Sequence, residues 1–205
     1  MRYLPFIGMA AVMAALASCG TMSKEECRVA DWAVVGDTDG AAGYDPQSRF
    51  ADHVRSCSKS GATPNQTQWY QGYQTGIRRF CTPLGGAAHG EAGGAYHNVC
   101  PAEMEADFVR GYSLGKRVHE LRSRMDSLHS GISARESEAD RLYDDMKKAA
   151  DKDRRGIRDR IDDLERERRR MRREADDLSY ELGEAERDLE FFRQNPGARL
   201  SPAGY

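Results

Sequence analysis

The sequence predicts an all-α chain, a small disulfide-stapled helical domain followed by a long antiparallel helical hairpin of coiled-coil type. Three observations carry this expectation: cysteines spread through a glycine-rich half, Gly-x-x-x-Gly pairs preceded by aromatic residues, and heptad runs in a highly charged half. Residues 20–115 hold 14 of the 20 glycines, whereas residues 116–194 carry 21 Lys+Arg and 22 Asp+Glu. The whole chain of 205 residues has a net charge of −2 and a mean hydropathy of −0.76. That balance removes the electrostatic case for nucleic acid, which needs a basic excess. It is also too polar for an integral membrane protein, since no internal apolar run approaches the ~20 residues of a spanning helix.

Residues 1–18 read as a signal peptide. Met1-Arg2 supplies a positive start, and Leu4 to Leu16 is an apolar core too short to span a bilayer. Leu16-Ala17-Ser18-Cys19 resembles the lipobox of bacterial lipoprotein precursors, in which the cysteine is diacylated, the peptide cut before it and the new amino terminus acylated. Two or more acyl chains anchor stably where one would be marginal. Cys19 is therefore the expected lipidation site (palmitate among its acyl groups), with Gly20 after it favouring the outer membrane, periplasmic face.

Residues 19–115 form the expected Gly/Cys-rich helical domain. Besides Cys19 they contain Cys27, Cys57, Cys81 and Cys100, separated by 30, 24 and 19 positions. An even set of cysteines in an oxidising compartment reads as a disulfide framework. Three connectivities exist; sequential pairing, Cys27–Cys57 and Cys81–Cys100, is favoured because short loops close first. Zinc is disfavoured because no Cys-x-x-Cys occurs; neither a metal nor a cofactor is expected. Within this domain one pattern recurs: Trp32 before Gly36 and Gly40, Trp69-Tyr70 before Gly72 and Gly76, and Phe108 before Gly111 and Gly115. Glycines four apart share one helix face and expose backbone there, while the aromatic residue supplies surface to bury. These are expected to be packing seams, with a ligand groove built from the same surfaces and Tyr96 as the alternative. Gly85-Gly86 and Gly90 to Gly94 read as a loop between Cys81 and Cys100, not a phosphate-cradling one, because no strand precedes it.

Taken together, Cys27, Asp31-Trp32, Gly36, Asp39-Gly40, Gly43, Cys57, Tyr70, Gly72, Gly76, Phe80-Cys81-Thr82-Pro83, Gly90, Gly93, Tyr96, Cys100-Pro101, Phe108, Gly111-Tyr112 and Gly115 resemble an uncharacterised bacterial lipoprotein family, domain-of-unknown-function family 2799. The resemblance covers roughly residues 23–118. It implies a lipobox before the module and a charged helical tail after it, and implies no reaction. Ala33 departs from the tyrosine or similar polar residue that the family often has there.

Residues 116–194 read as a charged coiled-coil hairpin. Leu114, Val118, Leu121, Met125, Leu128, Ile132, Arg135, Ala139, Leu142, Met146 and Ala149 alternate spacings of four and three. So do Ile157, Ile161, Leu164, Arg168, Met171, Ala175, Leu178, Leu182, Ala185, Leu189 and Phe192. The step from Ala149 to Ile157 breaks register, and the polar run Asp151 to Gly156 is the expected turn between arms of about 36 residues. A homo-oligomer through one unbroken helix is the rival arrangement. Asn195-Pro196-Gly197 stops the second arm, and residues 195–205 read as a disordered tail.

Arg166, Arg168, Arg169, Arg170, Arg172 and Arg173 are interleaved with Glu165, Glu167 and Glu174, as on a solvated face; contact with anionic envelope polymers is the functional alternative. His53, His89 and His97 match no nucleophile elbow, metalloprotease helix or nucleotide loop. The expected function is a lipid-anchored structural or interaction module, a spacer or adaptor that meets an envelope protein or the cell wall and catalyses nothing. A ligand-binding or hydrolase-regulating module using the glycine-rich surface is the alternative.

Overall fold

The computed structural model describes residues 22–197. The expected signal peptide, Cys19 and residues 198–205 lie outside the described residues. Seven helices run through the rest: α1 (Lys24–Val29), α2 (Trp32–Ala41), α3 (Pro46–Cys57), α4 (Gln66–Phe80), α5 (Pro83–Glu91), α6 (Ala102–Lys148) and α7 (Asp151–Gln194). Short polar side chains set the starts of the first five. Ser23 closes a capping box with Glu26, while Asp31, Asp45, Asn65 and Thr82 each accept backbone N–H groups of the first turn. Pro46 and Pro83 follow their caps at the one helical place where a missing N–H costs nothing.

Two disulfides staple the glycine-rich half with sequential connectivity. Cys27–Cys57 ties α1 to the end of α3 at a Cα separation of 5.6 Å, and Cys81–Cys100 ties the end of α4 to the approach of α6 at 5.5 Å. They close chain separations of 30 and 19 residues. Loop-closure entropy then predicts that reducing either bond lowers unfolding free energy by about 3 kcal/mol. Urea unfolding of single Cys57→Ser and Cys100→Ser variants checks this; a loss below ~1 kcal/mol in both would show that packing alone fixes the domain.

The hairpin is continuous with that domain, because α6 runs 47 residues from Ala102 with its first turns inside the glycine-rich half. Helix α7 returns over 44 residues, antiparallel to α6, burying Ile161, Leu164, Ala175, Leu178, Ala185, Leu189 and Phe192 against Val118, Leu121, Leu128 and Ala139. Cross-arm pairs fix the register: Arg122 with Glu186, Arg124 with Glu174, Arg135 with Glu167, and Arg160 with Glu138.

One expectation about the hairpin is corrected. The turn is not Asp151 to Gly156 but the extended pair Ala149-Ala150, and Gly156 lies inside α7. Asp151 and Asp153 suit the positive end of a helix and Lys147-Lys148 the negative end of the preceding one, so charge there marks helix termini. Just beyond α7, at the start of the expected tail, Arg110 donates to the Pro196 carbonyl at 2.6 Å.

Candidate functional site

The glycine pairs form two copies of one arrangement. In the first, α2 and α4 lie parallel: a Cβ on Gly36 would overlap the Trp69 carbonyl, one on Gly40 that of Tyr73, one on Gly72 that of Ala33 and one on Gly76 that of Asp37. In the second, α5 and α6 repeat this, with Gly86 against Phe108, Gly90 against Tyr112, Gly111 against Pro83 and Gly115 against Ala87. The likeness extends outward. The Tyr73 hydroxyl donates to the Tyr44 carbonyl at 2.7 Å, and the Tyr112 hydroxyl to the Gly94 carbonyl at 3.0 Å. Gly43 (φ +74°) packs under the Phe80 ring, and Gly93 (φ +78°) under the His119 ring.

The glycine faces are therefore filled by neighbouring backbone and line no groove. Gly85, Gly86 and Gly90, expected in a loop, belong to α5. Their helix was concealed because Thr82-Pro83 stands where α2, α4 and α6 carry an aromatic residue. Of the singled-out aromatics, Trp69, Phe108 and Trp32 are buried, Tyr96 is half-buried and Tyr70 is half exposed at 50%.

The copies differ where each meets its surroundings. Ala87 and Val118, buried under α7, correspond to Asp37 and Arg79, which form a surface ion pair at 2.6 Å in the first copy. The second copy thus offers α7 an apolar seat that the first denies it. Glu91 completes the seat by pairing with Arg122 of one arm at 2.9 Å and with Arg193 of the other. Burial alone would raise the Glu91 carboxyl, but its two guanidinium partners hold it below the ordinary value.

A second difference is a buried polar centre in the first copy. Asp39 accepts from Arg49 Nε at 2.7 Å and Trp69 Nε1 at 2.9 Å, and lies 2.6 Å from His53 Nε2. Both Asp39 and His53 are almost fully buried. Desolvation pushes the Asp39 carboxyl up, yet hydrogen bonds from His53, Arg49 and Trp69 outweigh it and hold the group below the usual range. The place of Asp39 is taken in the second copy by His89, whose Nε2 lies 3.0 Å from the Ala95 carbonyl and whose ring packs on Phe80 and Tyr112. His97 is exposed in the following loop. Among the described residues no group of three or more His, Cys, Asp or Glu is placed to hold a metal, and no helix is long and apolar enough to cross a membrane.

The described surface carries one recess with an aromatic wall, about 380 Å³, lined by Pro46, Gln47 and Phe50 of α3 and by Gln66, Trp69 and Tyr70 of α4. Of these only Trp69 and Tyr70 were singled out from sequence. The others sit at helix starts, where pattern gives no hint of convergence.

Among known proteins, a family model described as a protein of unknown function (DUF2799) matches residues 31–117. The match spans both glycine-paired copies and ends where α6 leaves the domain as a hairpin arm. No curated protein and no solved structure matches the chain.

Proposed function

We propose, from the premise that the module over residues 31–117 belongs to the DUF2799 family, that this chain is a lipid-anchored envelope spacer or adaptor without turnover. In this reading Cys19 carries the acyl chains at the periplasmic face of the outer membrane. The stapled domain sits near that anchor, and the hairpin tip meets an envelope protein or the cell wall. The observation that carries the reading is the hairpin beyond Arg122. From there to Lys148 the contacts that α6 makes with other helices among the described residues are with α7, over about 40 Å at 1.5 Å per residue. Such a projection adds nothing to the domain's own core, whereas a rigid rod tied down by Glu91 can set a distance.

A photo-crosslinking residue at Arg155 in living cells tests this. Capture of one distinct envelope protein or of cell-wall material is expected, and deletion of residues 120–194 is expected to impair envelope integrity. Self-crosslinks alone, or wild-type integrity after the deletion, would overturn it. The ligand-binding alternative loses its original basis, since the glycine faces are occupied; among the described residues the recess between α3 and α4 and a smaller one beside Val35, Asp39 and His53 are open to solvent.

A further inference from the structure

The two copies place an aromatic ring against corresponding partners. Phe50 tilts on Trp69 at 5.2 Å and 49°, and Tyr96 tilts on Phe108 at 4.8 Å and 40°. In the second copy the hydroxyl of Tyr96 donates to Glu105 at 3.2 Å and accepts from the Cys100 N–H at 3.3 Å. Glu105 corresponds to Gln66 in the first copy. Phe50 has no hydroxyl, so the Gln66 side chain has no hydrogen-bond partner among the described residues. The same holds for the side chain of Gln47 and the hydroxyl of Tyr70, which face the same recess. Neither a carboxylate nor a cation lines it. Three solvent-facing polar groups of mixed donor and acceptor character, free to exchange water for a ligand's hydroxyls, thus surround an aromatic wall at which Tyr70 is half exposed and parallel to Tyr73.

We propose that this recess is a binding site for an uncharged saccharide, taken as one or two pyranose units of a glycan. A pyranose presents a flat face of C–H groups, which packs on an aromatic ring. It also carries a rim of hydroxyls that each donate and accept, as the Tyr96 hydroxyl does between Glu105 and the Cys100 N–H in the second copy. Two carboxamides and a phenol match that rim, and an N-acetyl group adds a further amide for Gln47 or Gln66. At about 380 Å³ the recess lies at the small end of ligand pockets, which run from about 300 Å³ upward. A charged sugar is disfavoured, because its carboxylate would be desolvated with no cation among the lining residues. The proposal goes beyond the spacer reading and holds or fails independently of it, because it concerns the first copy alone.

The test is a titration of the full chain with tri-N-acetylchitotriose, followed by amide NMR shifts and by indole emission. Saturable binding in the ~millimolar range is expected, with shifts centred on Gln47, Gln66 and Tyr70. Tyr70→Ala should weaken it about tenfold, as loss of an aromatic anchor does, and Gln66→Leu should weaken it less. Both positions are exposed, so unchanged urea midpoints will show that the fold survives. A trimer of galacturonic acid should bind more weakly than the neutral probe. Absence of saturation, equal binding by the Tyr70→Ala variant, or preference for the uronate would each overturn the assignment.

Discussion

Gly36→Ala combined with Gly40→Ala is expected to unfold the first glycine-paired copy while the helical hairpin persists. The added methyl groups would overlap the carbonyls of Trp69 and Tyr73, which are backbone and cannot swing aside. Helices α2 and α4 must then separate, and Trp69, Tyr73 and Ile77 lose the close packing that leaves each no more than 2% exposed. Overpacking of a single core site costs 1–3 kcal/mol, so two sites on one seam cost about 5 kcal/mol, close to the whole stability of a small domain. Gly156→Ala is the control, because that glycine is helical with open space around its Cβ position. It should stabilise the hairpin by up to ~1 kcal/mol through helix propensity alone. Urea unfolding followed by near-ultraviolet circular dichroism reads both. Equal, small effects at the two sites would mean that the glycine seam is not what brings α2 and α4 together.

That contrast also shows how far pattern reading reaches. Glycines at 36, 40, 72, 76, 111 and 115 were legible because each pair follows an aromatic residue at helical spacing. Those at 86 and 90 do the same work and were hidden, since Thr82-Pro83 replaces the aromatic signal and neighbouring glycines mimic a loop. The heptads were legible because burial along a long helix is periodic: Val118, Leu121 and Leu128 face Ala175, Leu178 and Ala185 as spaced. The turn was not, because a two-residue break leaves no compositional trace while charged helix termini do. Nor does periodicity mark Asp39, Arg49 and His53, which lie on two helices and meet only when the tertiary fold forms. The recess between α3 and α4 has the same origin, being assembled from residues at two separate helix starts.

Asp39 is where that tertiary dependence has its largest expected consequence. One carboxylate accepts from Arg49, His53 and the Trp69 indole, so Asp39→Ala strands three donors, two of them deep in the core. Removing one partner of a buried charged network costs about 3–5 kcal/mol, and a loss near 4 kcal/mol at neutral pH is expected. The same group sets an acid limb. Its folded carboxyl is held below its ordinary value, so its contribution is full above the unfolded pKa of about 3.9 and declines as pH falls through the lower folded value. Stability of the parent chain should therefore drop on acidification below about pH 4, and Asp39→Asn should flatten that part of the limb. Asparagine keeps the shape and one acceptor oxygen, so its neutral-pH loss should be smaller than that of alanine. Urea midpoints at stepped pH separate the two effects. An Asp39→Asn chain whose acid limb matched the parent's would show that Asp39 is not the titrating group, and that its partners hold their places without its charge.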